Sequence, residues 1–189
     1  MAQGDIANPR IWLNADVYVA PVGTTYPTNV TSTWASASAL WAPLGLLSQD
    51  DGMTETRDQD VTDHYAWGNV LVRTTKAKVK FSFQVTALED NPTVFNLIYP
   101  GSTDLSISGT TTRTVVVPTT DPRSFGFETV DGDIIRRRII PTGEITDVSD
   151  ISINDSTMAA KQFTINVYPS AVGVAWYDIS NDPQWLIAS

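Results

Sequence analysis

The acidic side chains of this chain gather most densely in one stretch. Between Leu44 and Asn69 the sequence reads LGLLSQDDGMTETRDQDVTDHYAWGN. It carries Asp50, Asp51, Glu55, Asp58, Asp60 and Asp63, together with Arg57 and with His64, the single histidine of the protein. Acids this dense raise two chemistries, holding a hard cation and moving protons. The run DQDVTDHYAWGN opens like a calcium loop, with Asp58 and Asp60 at alternate positions. Such a loop then needs glycine at its sixth position and a bidentate glutamate at its twelfth, to turn the chain and close the oxygen shell. Those positions hold Asp63 and Asn69. A zinc site made of several histidines is excluded by the lone His64, and the absence of cysteine removes thiolate ligands, disulfides and cysteine nucleophiles.

Catalysis lacks its parts as well. A hydrolytic triad needs a base beside a nucleophile on a sharp turn, and no G-x-S-x-G pattern accompanies His64. Carboxylate pairs for glycoside hydrolysis exist in any acidic chain, and nothing raises one pair above the others. The segments GNVLVRTTK and PVGTTYP hold single glycines without the spacing that cradles phosphate. Arg136, Arg137 and Arg138 sit within IIRRRII, where strand alternation sends the outer two to one face and Arg137 to the other. The expected use of these arginines is salt bridging to acidic neighbours, in this chain or an adjacent copy. No enzyme, metal or cofactor is therefore expected. A net charge of −9 also disfavours a surface built to grip phosphates.

The elements that must position these residues are mostly strands. In KAKVKFSFQVTALE, Ala77, Val79, Phe81, Phe83, Val85 and Ala87 share one parity, and Lys76, Lys78, Lys80, Ser82, Gln84 and Thr86 the other. That alternation predicts one buried and one polar face. AKQFTINVY repeats the pattern; further strands are expected in IWLNADVYVA, ALWAPLGLL, RTVVVP, SFGFETV, DIIRRRIIP and ITDVSDISI. One helix is expected in EDNPTVFNLIYPG, with Asn91 as cap, Pro92 at the first helical position and Pro100-Gly101 as the stop. The chain of 189 residues, with no apolar run approaching a membrane span and no visible secretory signal, reads as one domain over 1–189. Its expected architecture is mainly β: two packed antiparallel sheets, a sandwich or flattened barrel, with one short α-helix. A long loop is expected at about 48–75 and a C-terminal arm at about 170–189.

The six tryptophans allow core packing, a carbohydrate platform or subunit anchors. Trp41, beside a strand pattern, reads as core. Trp67 in the expected loop, and Trp176 and Trp185 in the expected arm, read as anchors at protein–protein contacts.

The order of DVYVAPVGTTYPTN, LWAPLGLLSQDDGMTET, an acidic loop and KAKVKFSFQVTALEDNPTVFNLIYPG resembles the major tail tube proteins of long-tailed bacteriophages, closest to those of actinobacterial phages. The resemblance covers about the first hundred residues. It implies a β-sandwich subunit of the virion, assembled in the host cytoplasm into stacked, hexameric rings that conduct double-stranded DNA. The implied partners are further copies of the chain, a tape-measure protein, and the tail terminator and distal tail proteins; DNA passes only through the lumen, and no membrane is involved. It also implies that the loop reaches the neighbouring ring. The contact candidates are then Asp50, Asp51, Glu55, Arg57, Asp58, Asp60, Asp63, His64, Tyr65, Trp67, Trp176 and Trp185. The alternatives are a related β-sandwich assembly protein, such as a secretion-system tube subunit or virion decoration protein, and a carbohydrate-binding module.

Overall fold

The computed structural model describes residues 9–185. Valine, isoleucine, threonine and aromatics at alternating positions produce the strands β1 (Asn14–Pro21), β2 (Ala42–Pro43), β3 (Met53–Ala66), β4 (Val70–Ala87), β5 (Thr103–Ile107), β6 (Thr110–Thr114), β7 (Arg123–Asp131), β8 (Ile134–Val148), β9 (Lys161–Val167) and β10 (Tyr177–Ser180). All pairings are antiparallel: one large sheet runs β2-β1-β7-β8-β9-β4-β3, with β10 also on β8, and a second sheet is β5-β6. The fold is mainly β with two antiparallel sheets, as expected.

The large sheet curls so that its halves face each other. β8 does the turning. Its first part, Ile134 to Ile140, pairs with β7, and its last part, Gly143 to Val148, pairs with β9. Gly143 sits at the bend, where an added Cβ would meet the Asn166 carbonyl at 3.0 Å. The curl brings Phe83 of β4 within 5.2 Å of Phe127 of β7, ring to ring, although two strands, β8 and β9, separate them along the sheet. Val17, Val85, Phe125, Ile140, Phe163 and Ile165 fill the space between the halves. The helix α2 (Pro92–Ile98) adds Val94, Leu97 and Ile98 to the same core. It starts where expected: the Asn91 side chain accepts from the Val94 amide at 2.9 Å, and Pro92 follows in the first turn.

A smaller cluster lies on the other side of β1, β7 and β8. The connection after β1 folds back as a helical turn, α1 (Trp34–Ala37), and buries Trp34 and Trp41 with Ala20 and Ile139. Trp34 lies flat on the sheet because Gly126 has no side chain; a Cβ there would meet the indole at 2.2 Å. The connection, rich in serine and threonine, thus covers the sheet, and Trp41 is core as expected.

Several expectations need correction. The segment expected as a long loop at 48–75 is instead largely strand: β3 and the start of β4 form a long hairpin closed by Trp67-Gly68-Asn69. Alternating threonine, valine and charged residues suit a two-sided polar ribbon, and positive φ at Gly68 and Asn69 turns it. The C-terminal arm at 170–189 is docked as far as it is described. β10 pairs Tyr177↔Ile139 through Ser180↔Arg136 on β8, followed by a 3-10 turn at Pro183–Trp185. DIIRRRIIP and the start of ITDVSDISI form the single strand β8, and RTVVVP is strand only through Thr114. The lysine alternation also breaks. Lys78 has φ +50° and falls at a β-bulge, so Lys80 pairs with Asp58 while Lys76 pairs with Val61 across the break.

Candidate assembly surface

The β3–β4 hairpin divides into a root and a far half. At the root, Val85, Thr86 and Ala87 are buried, and β4 is flanked by β9 from Ser82 to Ala87. Beyond Phe81, among the described residues, β4 has only β3 beside it, and nearly every residue from Thr54 to Lys80 is exposed on both faces. The exposed set includes Val61, Tyr65, Val70, Leu71, Val72 and Val79, and Trp67 at the turn is fully exposed. A two-stranded ribbon is at best marginally stable in water, and apolar groups of this size carry a surface cost unless another molecule covers them.

Where the far half leaves the body, an ionic and aromatic junction holds it. Arg138 of β8 pairs with Glu55 of β3 and donates from Nε to Asp178 of β10 at 2.8 Å, with a second bond from Nη2 at 2.9 Å. Arg136 reaches the same Asp178 at 3.1 Å. The Trp176 ring lies 4.7 Å from the Arg138 guanidinium and edge-on to Phe81 and Phe83, at 4.9 and 5.6 Å. Burial alone would push the Asp178 carboxyl up, but hydrogen bonds and charge from Arg138 and Arg136 outweigh it and hold its pKa below the ordinary value. The carboxylate is therefore ionised and bound between two cations.

The third arginine faces the opposite side, as alternation requires. Arg137 is buried, donates to Glu128 at 2.5 Å, and satisfies the Asn29 and Ser32 carbonyls at 2.7 and 2.6 Å. Trp34 Nε1 donates to the same Glu128 carboxylate at 2.9 Å. All three arginines are thus salt-bridged within the chain.

The candidate contact residues separate accordingly. Asp50 and Asp51 are exposed in the turn before β3. Arg57 donates to Gln59, Asp58 lies across from Lys80, and Asp60 pairs with Lys78 at 3.4 Å. Asp63 accepts from Thr74, and His64 Nε2 lies 3.0 Å from Thr75 Oγ1. Tyr65 and Trp67 point away from any core. Glu55 and Trp176 are engaged at the root, and Trp185 remains half exposed over Arg136 at 4.7 Å. The acidic residues are strung along a ribbon instead of converging, and among the described residues no group of three or more His, Asp or Glu side chains could hold a metal ion. Val70, Leu71 and Val72 lie within the segment expected as a loop at 48–75, and the structure adds them to the named contact candidates as exposed residues of this surface. Their signal was the Trp-Gly-Asn turn between two β-prone runs.

The model of the phage tail tube protein family matches residues 7–188. The chain belongs to the phage tail tube protein family. A chain of the extended-state sheath–tube complex of an extracellular contractile injection system, PVC, has a similar fold. Its TM-score is 0.50 at 8% identity, with 92% of this chain and 93% of that chain covered. No curated protein matches the sequence. Membership makes this chain a structural component of the virion tail. Within the tail tube fold, the exposed ribbon is the feature whose surface the isolated subunit leaves unexplained.

Proposed function

We propose that the chain assembles with copies of itself into hexameric rings, and that these rings stack into the tail tube of a long-tailed phage of an actinobacterial host. The tube would conduct double-stranded DNA during ejection, and the subunit would catalyse nothing. The observation that supports this best is the far half of the β3–β4 hairpin, a long ribbon exposed on both faces and ending in Tyr65, Trp67, Val70, Leu71 and Val72. Ring closure would cover the open edge of β3, which otherwise offers unpaired backbone groups along its length. If six subunits each gave about four strands to an inner wall, spacing of ~4.8 Å would give a bore of roughly 37 Å before tilt, wide enough for a duplex. A net charge of −9 suits passage of DNA, since acidic walls repel phosphate and basic ones hold it. During assembly in the host cytoplasm the lumen would hold a tape-measure protein, with terminator and distal tail proteins at the ends.

Negative-stain imaging of the concentrated purified protein tests this. Rings or tubes are expected. A strictly monomeric protein that is also absent from tails would overturn the reading.

A further inference from the structure

A cavity of about 300 Å³ opens beside the root of the hairpin. Phe83, Phe127, Trp12 and Met53 supply its apolar walls, and Arg136 and Arg138 its cationic side. No function described above uses it. The far end of the same hairpin carries the converse feature, the fully exposed indole of Trp67 flanked by exposed Tyr65 and Leu71. We propose that the cavity receives the Trp67 tip of a second copy of this chain. This deepens the tube reading and rests on it.

Three observations select that occupant. The cavity is lined by Gly52, Met53 and Glu55, at the start of β3, whereas Trp67 follows its end. At ~3.3 Å per residue the two sites of one chain lie roughly 40 Å apart, so an extended ribbon cannot fill its own cavity. The chemistry also matches: an indole gains from burial among aromatic rings and from a guanidinium at the cavity wall. Arg136 and Arg138 already lie 4.7 Å from the rings of Trp185 and Trp176, so arginine–tryptophan contact is in use at this spot. Finally, Tyr65, Trp67, Val70, Leu71 and Val72, together with the ribbon that carries them, offer an area on the scale of the ~800 Å² per partner of a stable interface. A small ligand would leave most of that uncovered.

Tip and cavity are different patches, so the contact is head-to-tail, and where it carries a displacement along the tube it repeats without closing. With the ribbon along the tube, each copy would be displaced from the next by roughly 40 Å, the length of β3.

The chain has no cysteine, which allows a direct test. In assembled full-length protein, the double variant Ala66→Cys, Thr129→Cys keeps the Trp67 indole and places one thiol beside it on the tip and one on the cavity wall. Mild oxidation should give a ladder of covalent oligomers on denaturing gels, and neither single variant should give more than dimers. The pair Ala66→Cys, Thr28→Cys, whose second thiol lines a different cavity, should give no ladder. Tubes seen by imaging without the Ala66–Thr129 ladder would overturn this inference and leave the tube reading intact, as would a ladder through Thr28. Absence of any assembly by the cysteine-free protein would instead overturn the tube reading on which the inference rests. As a second variant, Thr129→Trp should fill the cavity and stop stacking while single rings persist; normal-length tubes from that variant would contradict the proposal.

Discussion

The two ends of β4 follow different physics within one strand. Val85, Thr86 and Ala87 are buried beside β9, whereas Val70, Leu71 and Val72 stand in solvent. Residue type does not distinguish them, because valine occurs at both ends. The neighbours do. The root is held by strands on both sides and by the Arg138–Asp178–Trp176 junction, and the far half has only β3. One end of the strand is stabilised by this chain, and the other awaits another molecule.

The sharpest way to break that comparison is through the core. Phe163→Ala removes a fully buried ring from the strand beside the root and should cost about 3–5 kcal/mol of unfolding free energy, read by urea denaturation of assembly-incompetent monomer. Arg137→Ala comes next. It leaves Glu128 and the Asn29 and Ser32 carbonyls without their cation, and breaking a buried pair in this way costs about 3 kcal/mol or more by the same assay. A loss below ~1 kcal/mol would mean that this network is solvated.

Acid should loosen the junction before the core. The Asp178 pKa lies below its unfolded value, so its stabilising contribution is present above about pH 4 and is lost as pH falls through the folded pKa. Melting temperature measured from pH 7 down to pH 2 should therefore fall less steeply for Asp178→Asn than for the parent, with the variant already less stable at neutral pH. Equal slopes would remove Asp178 from the account. At the far end, Trp67→Ala should change monomer stability by less than ~0.5 kcal/mol, since the indole touches no core. A larger loss would show that the ribbon folds back on its own chain.

Much of the body was legible in the sequence, because alternation, caps and composition are local signals. Asn91-Pro92 identified α2, the parity of Phe81, Phe83 and Val85 identified the buried face, and the arginine triplet followed its alternation. The ribbon was less legible because it has no buried face, and periodicity reports burial on one side. With charges spread over both faces, TETRDQDVTDH carries a loop's composition on a strand's backbone. The bulge at Lys78 was invisible for a related reason: nothing in an alternating lysine pattern marks which residue will be left unpaired. Trp176 reads from the sequence as part of a trailing arm because its partners, Phe81, Phe83 and Arg138, are brought to it only by the curled sheet.

The central claim is that the far half of the β3–β4 hairpin is an assembly surface and contributes little to the fold of its own subunit. The most direct measurement replaces residues 59–79 by a short Asn-Gly turn, keeping Met53, Glu55, Phe81 and Phe83, and compares melting and electron micrographs with the full chain. The account predicts a cooperative melting transition close to that of the parent monomer and no tubes. Tubes of normal length from the shortened protein would contradict it.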